Sequence, residues 1–181
     1  MKRICFDTSS NYFHSPFDGF LNDPDGARTY FQNQSFKFHA ATTFDSSSRK
    51  FRDFTDYRKL FEYVMKADEL ITFNGRICDF IVLEKLVGAE DSKRLWEKPH
   101  YDLCGWRNYY SLESAVRGLL PKRIAESFEQ FESDRLSKIK SVYNEFHARR
   151  LANTYRDAKF TFALFRQYLK SGDTDRTFRD A

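Results

Sequence analysis

Glu69-Leu70-Ile71-Thr72-Phe73-Asn74-Gly75-Arg76-Ile77-Cys78-Asp79-Phe80 reads as a strand, a tight turn and the opening of a helix. Leu70 to Phe73 is a compact apolar run of the kind found in a central strand buried on both faces. Asn74-Gly75 is the turn that ends it. From 78 to 87 the apolar residues Phe80, Ile81, Leu83, Leu86 and Val87 fall at helical spacing, and Gly88 stands at the stop. A buried strand that feeds a helix through a two-residue turn is a building unit of an α/β domain.

The same reading extends outward. Upstream, Ile4-Cys5-Phe6 is a short strand that delivers Asp7 at its carboxyl end, followed over 10–28 by a loop-like stretch of Asn, Asp, Pro and Gly. Residues 36–40 alternate as a half-buried strand, Asp45-Ser46-Ser47-Ser48 is a turn, and 51–54 pairs back as a third strand. Thr55 or Asp56 caps a helix running to about Lys66 through Tyr57, Leu60, Phe61, Val64 and Met65. Downstream, 101–104 is a short strand or helix start, and Ser111 caps a helix over 112–119 that ends at Leu120-Pro121. From Glu126 to about Leu169 the pattern gives two helices with a break near 148–151. The expectation is one α/β domain over 1–172, a mixed central sheet flanked by helices, with a polar tail at 173–181.

Composition agrees with one domain: 181 residues, 41% of them hydrophobic, enough for a core. Twenty Phe and 10 Tyr against 2 Met make that core aromatic. A net charge of +4 permits a nucleic-acid partner without demanding one, and the absence of any long run of like charge argues against a basic tail. Cys5, Cys78 and Cys104 form no C-x-x-C pair and never cluster with His, which excludes a zinc-finger pattern and points to reduced thiols in a cytosolic protein. The N-terminus lacks a signal-peptide pattern, and no apolar stretch approaches the roughly 18–20 residues of a membrane span. A cytoplasmic protein without membrane contact is expected.

Three segments place an aspartate where a metal-dependent nuclease needs one: Asp7, Asp79, and Asp157 within Tyr155-Arg156-Asp157-Ala158-Lys159-Phe160-Thr161. Mg²⁺ and Mn²⁺ take hard oxygen ligands, and phosphoryl transfer uses clustered carboxylates to hold them. Taken singly, Asp7 reads equally as a turn residue, Asp79 as a helix cap, Asp157 as a surface charge, and Asp102 as a structural hydrogen-bond acceptor.

Taken in order, the segments resemble the DEDD superfamily of 3′–5′ exonucleases on the ribonuclease H-like fold. The nearest subgroup is that of predicted ribonuclease H-like exonuclease domains, some of them attached to helicases. The resemblance runs from Ile4 to Leu169. Its first motif is Asp-x-Glu, here Asp7-Thr8-Ser9. The second is Phe-Asn followed by Asp, here Phe73-Asn74 and Asp79. Asp102-Leu103 and Ser111-Leu112 match the next positions, and the last motif, a helical Tyr-x-x-x-Asp with Thr four residues on, is met by Asn153, Asp157 and Thr161. The resemblance implies Asp7, Asp79 and Asp157 as metal ligands and catalytic groups in a two-metal mechanism with Mg²⁺ or Mn²⁺. It implies single-stranded DNA or RNA as substrate, and a fused or associated helicase- or polymerase-type partner.

Two positions depart from the pattern. Ser9 stands where the glutamate belongs, and Asn153 where the tyrosine belongs. Tyr155 lies on the wrong side of the helix to replace it, and His147 is too far along the axis. Asp18, Asp23 and Asp25 are candidates for a substitute ligand. Losing a carboxylate and the water-positioning group opens the alternative of a ribonuclease H-like domain that has lost catalysis and serves as a nucleic-acid or protein interaction module. Asn74, Arg76 and Arg156 are the leading candidates for contact with nucleic acid. Arg107, Arg117, Lys122, Arg123, Arg149 and Arg150 are further phosphate candidates, and Trp106, Tyr109 and Tyr110 are candidates for base stacking.

Overall fold

β1 (Arg3–Ser10) is the central strand of a five-stranded sheet in the computed structural model, which describes residues 1–10, 25, 26, 29 and 37–173. The other strands are β2 (Phe38–Asp45), β3 (Lys50–Phe54), β4 (Glu69–Thr72) and β5 (His100–Asp102), in the order β3-β2-β1-β4-β5. β1 runs antiparallel to β2 and parallel to β4; β2 and β3 form a hairpin, and β4 and β5 are parallel. The sheet is therefore mixed, as expected.

Helices cover both faces. On one side lie α1 (Tyr57–Val64), α2 (Asp79–Val87) and α3 (Ala89–Trp96). Their apolar residues pack with Ile4, Phe6 and Leu70 around Leu60, Phe80, Leu83 and Leu95. On the other lie α4 (Leu112–Leu119), the short α5 (Lys122–Ala125), α6 (Phe128–Ile139) and α7 (Glu145–Ser171). They enclose a second core with Cys5, Ile71, Phe160, Leu164 and Phe165. Every residue of β4 is buried, the signature of a strand covered on both sides. Caps set the helix starts: the Asp56 carboxylate accepts from the Arg58 and Lys59 N–H groups, and the Ser111 hydroxyl from Ser114. Gly88 at φ 91° and Gly172 at φ 70° supply the left-handed backbone that ends α2 and α7.

Three expectations are corrected. β1 runs past Asp7 to Ser10, because its antiparallel partner β2 continues that far. The helical break lies at 140–144, not 148–151: Asn144 caps α7 by accepting from the His147 N–H at 2.9 Å, while Ala148 and Leu151 are fully buried against Ala40 and Ile139. α3 is additional; it turns mainly Leu95 inward, too little apolar periodicity to stand out. Asp18 and Asp23, the early loop and the polar tail beyond Asp173 lie outside the described residues. Among the described residues no helix is long and apolar enough to cross a membrane.

Candidate acidic site

β4 pairs with β1 only over Arg3 to Cys5, whereas β2 follows β1 through Ser10. Asp7 thus sits just beyond the last parallel rung, at the open carboxyl end between two parallel strands, where α/β sheets form crevices. Alternation along β1 then divides its side chains. Cys5 faces α7, and its thiol donates to the Ala158 carbonyl at 3.2 Å. Asp7, two residues on, shares that face and meets the turn of α7 that carries Asp157. Phe6 and Thr8 face α2: Phe6 packs on Phe80, and the Thr8 N–H and hydroxyl both donate to Asp79 Oδ1, at 2.8 and 2.6 Å. Asp79 is the first residue of α2, but its carboxylate caps no N–H of its own helix; it is spent on β1.

The three aspartates are electrostatically linked. Burial raises the Asp7 carboxyl well above the ordinary range, the charges of Asp79 and Asp157 raise it further, and Arg156 opposes them. Asp79 is pushed up to about 7, first by burial; the two Thr8 hydrogen bonds oppose this, while Asp102 and Asp157 reinforce it. Asp157 is raised by burial, against the pull of Arg156. Among the described residues nothing donates a hydrogen bond to the Asp7 carboxylate, which leaves both its oxygens for a ligand.

An all-oxygen donor set is the kind that a divalent cation takes, and a cation would relieve mutual carboxylate repulsion. The spacing does not yet supply a closed cage: among the described residues no three His, Cys, Asp or Glu side chains lie close enough to hold one ion. Asp157 Oδ1 is instead occupied by Arg156 Nε at 2.7 Å, and the same guanidinium reaches Glu132 and lies over the Phe128 ring. Ser9, at the glutamate position, is buried, and Asn153, at the tyrosine position, is half-buried on α7.

Asp102 organises the loop that leads to Asp79. Its carboxylate accepts from the backbone N–H groups of Asn74 at 2.6 Å, Arg76 at 2.9 Å and Cys104 at 3.1 Å. The structural-acceptor reading of Asp102 is the one observed. Asn74 holds φ 64°, a left-handed turn position that Asn tolerates. The Arg76 guanidinium is half-buried beside Asp102 and makes no ion pair among the described residues; burial lowers its pKa, and its charge helps hold His100 neutral.

Other candidates separate. Arg156 is engaged by Asp157 and Glu132, so contact with a phosphate requires exchange of these partners. Arg107 pairs with Asp173, Arg117 with Glu113 and Glu129, Lys122 with Glu126 and Arg149 with Glu145, while Arg150 lies over Phe146. Trp106 is core and donates to Asp173; Tyr109 packs over Gly118; Tyr110 is exposed. Asp25 contributes its backbone carbonyl to the Thr29 hydroxyl. Thr8 and Glu132 join the site beyond the residues that the sequence pattern points to. Thr8 was within reach of strand alternation, because the neighbour of Asp7 must face the helix that starts at Asp79. Glu132 sits in a charged stretch of α6 with no local signal.

In comparison with known proteins, no family model matches the chain, and no curated protein matches it closely enough to count as a relative.

Proposed function

We propose that the chain is a ribonuclease H-like domain of the 3′–5′ exonuclease type, acting on single-stranded DNA or RNA with Mg²⁺ or Mn²⁺. The observation that carries this reading is the Asp7 carboxylate: without a hydrogen-bond donor among the described residues, recessed at the open end between two parallel strands, and with its pKa raised by burial and then by the charges of Asp79 and Asp157 from two other elements. The strand order β3-β2-β1-β4-β5 with only β2 reversed against its neighbours also supports the ribonuclease H-like fold. In this reading Asp7, Asp79 and Asp157 are the carboxylates that would have to draw closer around a cation, which when bound would supply an activated water and stabilise charge on the phosphoryl group. Arg76 contacts a phosphate from the loop that Asp102 braces, and Asn74 shapes that loop.

The Arg156–Asp157 pair, with Ser9 and Asn153, favours a second reading: a domain of the same ancestry in which an internal guanidinium has taken over charge balance and catalysis is lost. Such a module retains salt-dependent binding to nucleic acid or a protein partner.

Degradation of 3′-labelled single-stranded DNA and RNA in Mg²⁺ and in Mn²⁺ separates the two. The enzyme reading expects shortening that Asp7→Asn abolishes. If neither substrate is shortened with either metal, that reading fails. Calorimetric titration with Mn²⁺ then tests the module: micromolar binding lost in Asp157→Ala counts against it.

A further inference from the structure

On the side of α7 turned away from Asp157 lies a groove of about 770 Å³ that the acidic site does not use. Lys159 follows Asp157 by two residues, roughly 200° around the helix axis, and Arg166 follows Lys159 by about two further turns. The floor is aromatic. Phe44 packs on Phe51 at 4.7 Å and on Phe162 at 4.5 Å between ring centroids, and Phe131 closes one wall. The rim is cationic: Arg123 on α5, and Lys159 and Arg166 on α7. Among the described residues none of these three has an ion-pair partner; Lys159 rests over the Phe131 ring at 3.4 Å, and burial lowers its pKa. No carboxylate among the described residues lines the groove. Its only uncharged polar side chain among the described residues is Ser127, whose hydroxyl already donates to the Ile124 carbonyl.

These features define a ligand by chemistry. The body must be apolar, because among the described residues the floor offers no hydrogen-bonding side chain for a sugar or a peptide amide. The charge must be negative, because three cations meet no acid among the described residues. Lys159 and Arg166 also stand about two helical turns apart rather than around one point, as a phosphate cradle would require. We propose that this groove is a binding site for a monoanionic amphiphile of the fatty-acid class, its chain on the phenylalanines and its carboxylate at the cationic rim. The volume is in the range of sites for ligands of that size, about 300–1,000 Å³. The proposal is independent of nuclease activity.

Decanoate, decanol and decyltrimethylammonium are titrated into the full chain by calorimetry below their micellar concentrations. Decanoate binds once per chain, decanol at least about tenfold more weakly, and the ammonium compound without measurable heat. Arg123 and Arg166 are exposed, so Arg123→Glu/Arg166→Glu keeps the thermal midpoint and weakens decanoate at least about tenfold, whereas Asp7→Asn leaves it unchanged. Equal affinity for decanol and decanoate overturns the proposal. So does an unaltered affinity in the double variant with its fold intact, an absence of decanoate binding, displacement of decanoate by a single-stranded oligonucleotide, or a dimer in sedimentation that excludes it.

Discussion

Arg156 and Asp157, adjacent on α7, form an ion pair of 2.7 Å in which both side chains are about four-fifths buried. Adjacent residues on a helix point about 100° apart, so the guanidinium must fold back across the axis to make this contact. It does so while also bonding Glu132 and lying over Phe128, which fixes it against α6. The carboxylate that a metal would need is thus held by a tethered cation. Arg156→Gln removes that competitor. Calorimetric affinity for Mn²⁺ should rise by about tenfold or more, while Asp157→Asn should abolish it. Unchanged Mn²⁺ affinity in Arg156→Gln would show that the pair is not what limits metal entry.

Asp79 predicts a pH dependence of stability. Its carboxyl titrates near 7 in the folded chain against an ordinary value of 3.8, so between these values the folded state holds a proton that the unfolded state has released. Stability from this group is full below about pH 4 and is lost as pH rises through 7. Asp79→Asn keeps an oxygen to accept both Thr8 bonds and removes the ionisation. The variant should match the wild type near pH 4 and exceed it increasingly to pH 8, by roughly 2–4 kcal/mol, or about 5 °C or more in Tm. Subtracting wild type from variant cancels His100, which burial and Arg76 hold to about 3 and which acts with the opposite sign. A difference in Tm that is flat from pH 4 to 8 would refute the assignment.

Asp102 makes the loop before Asp79 a brittle element. Asp102→Asn replaces one acceptor oxygen by an NH₂ group, so a donor faces either the Arg76 N–H or the N–H groups of Asn74 and Cys104. We expect about 1–3 kcal/mol of destabilisation by urea unfolding, the penalty for a buried donor without an acceptor. Gly75→Ala strikes the same loop: a Cβ there would lie 2.3 Å from Thr72 Oγ1, which is itself bonded to His100 Nε2 at 2.7 Å. That overpacking should cost about 1–3 kcal/mol. A wild-type unfolding midpoint in both variants would mean that the turn is not held as described.

Much of this architecture was legible because it is local. Leu70 to Thr72 announce a strand buried on both faces, Asn74-Gly75 its turn, and Asp56 and Ser111 their caps, each through neighbours in sequence. Asp7, Asp79 and Asp157 were legible only as an ordered set, since each alone reads as a cap, turn or surface charge. What they touch was not legible. The Asp79–Thr8 bonds span 71 residues and the Arg156–Glu132 contact spans 24; strand alternation gives the face of Thr8 but not its partner, and nothing local gives Glu132. The end of α6 was misplaced because Ala148 and Leu151, small and apolar within a charged stretch, look like an interruption until Ala40 and Ile139 are seen to pack on them.

The seating of α7 on the sheet offers the last test. Thr42 is the cross-strand partner of Asp7, and its hydroxyl lies 2.9 Å from that of Thr154, three residues before Asp157. Thr42 also donates to Asp53 at 3.0 Å, and Thr154 reaches the Leu151 carbonyl at 3.3 Å; Thr42 and Thr154 have no exposed surface. This hydroxyl pair ties α7 to β2 three residues before Asp157, at the strand position opposite Asp7. Thr154→Val keeps shape and removes one hydrogen bond to the Thr42 hydroxyl, which keeps its bond to Asp53, at about 1 kcal/mol. Thr42→Val should cost a similar amount, and the double variant less than the sum, with a coupling of about 0.5–1.5 kcal/mol. If this tie matters to the acidic site, Thr154→Val also narrows the pH-dependent Tm difference between Asp79→Asn and its parent, because Asp157 then contributes less repulsion to Asp79. Strict additivity of the two threonine substitutions, with that difference unmoved, would show that α7 is seated by its apolar contacts alone.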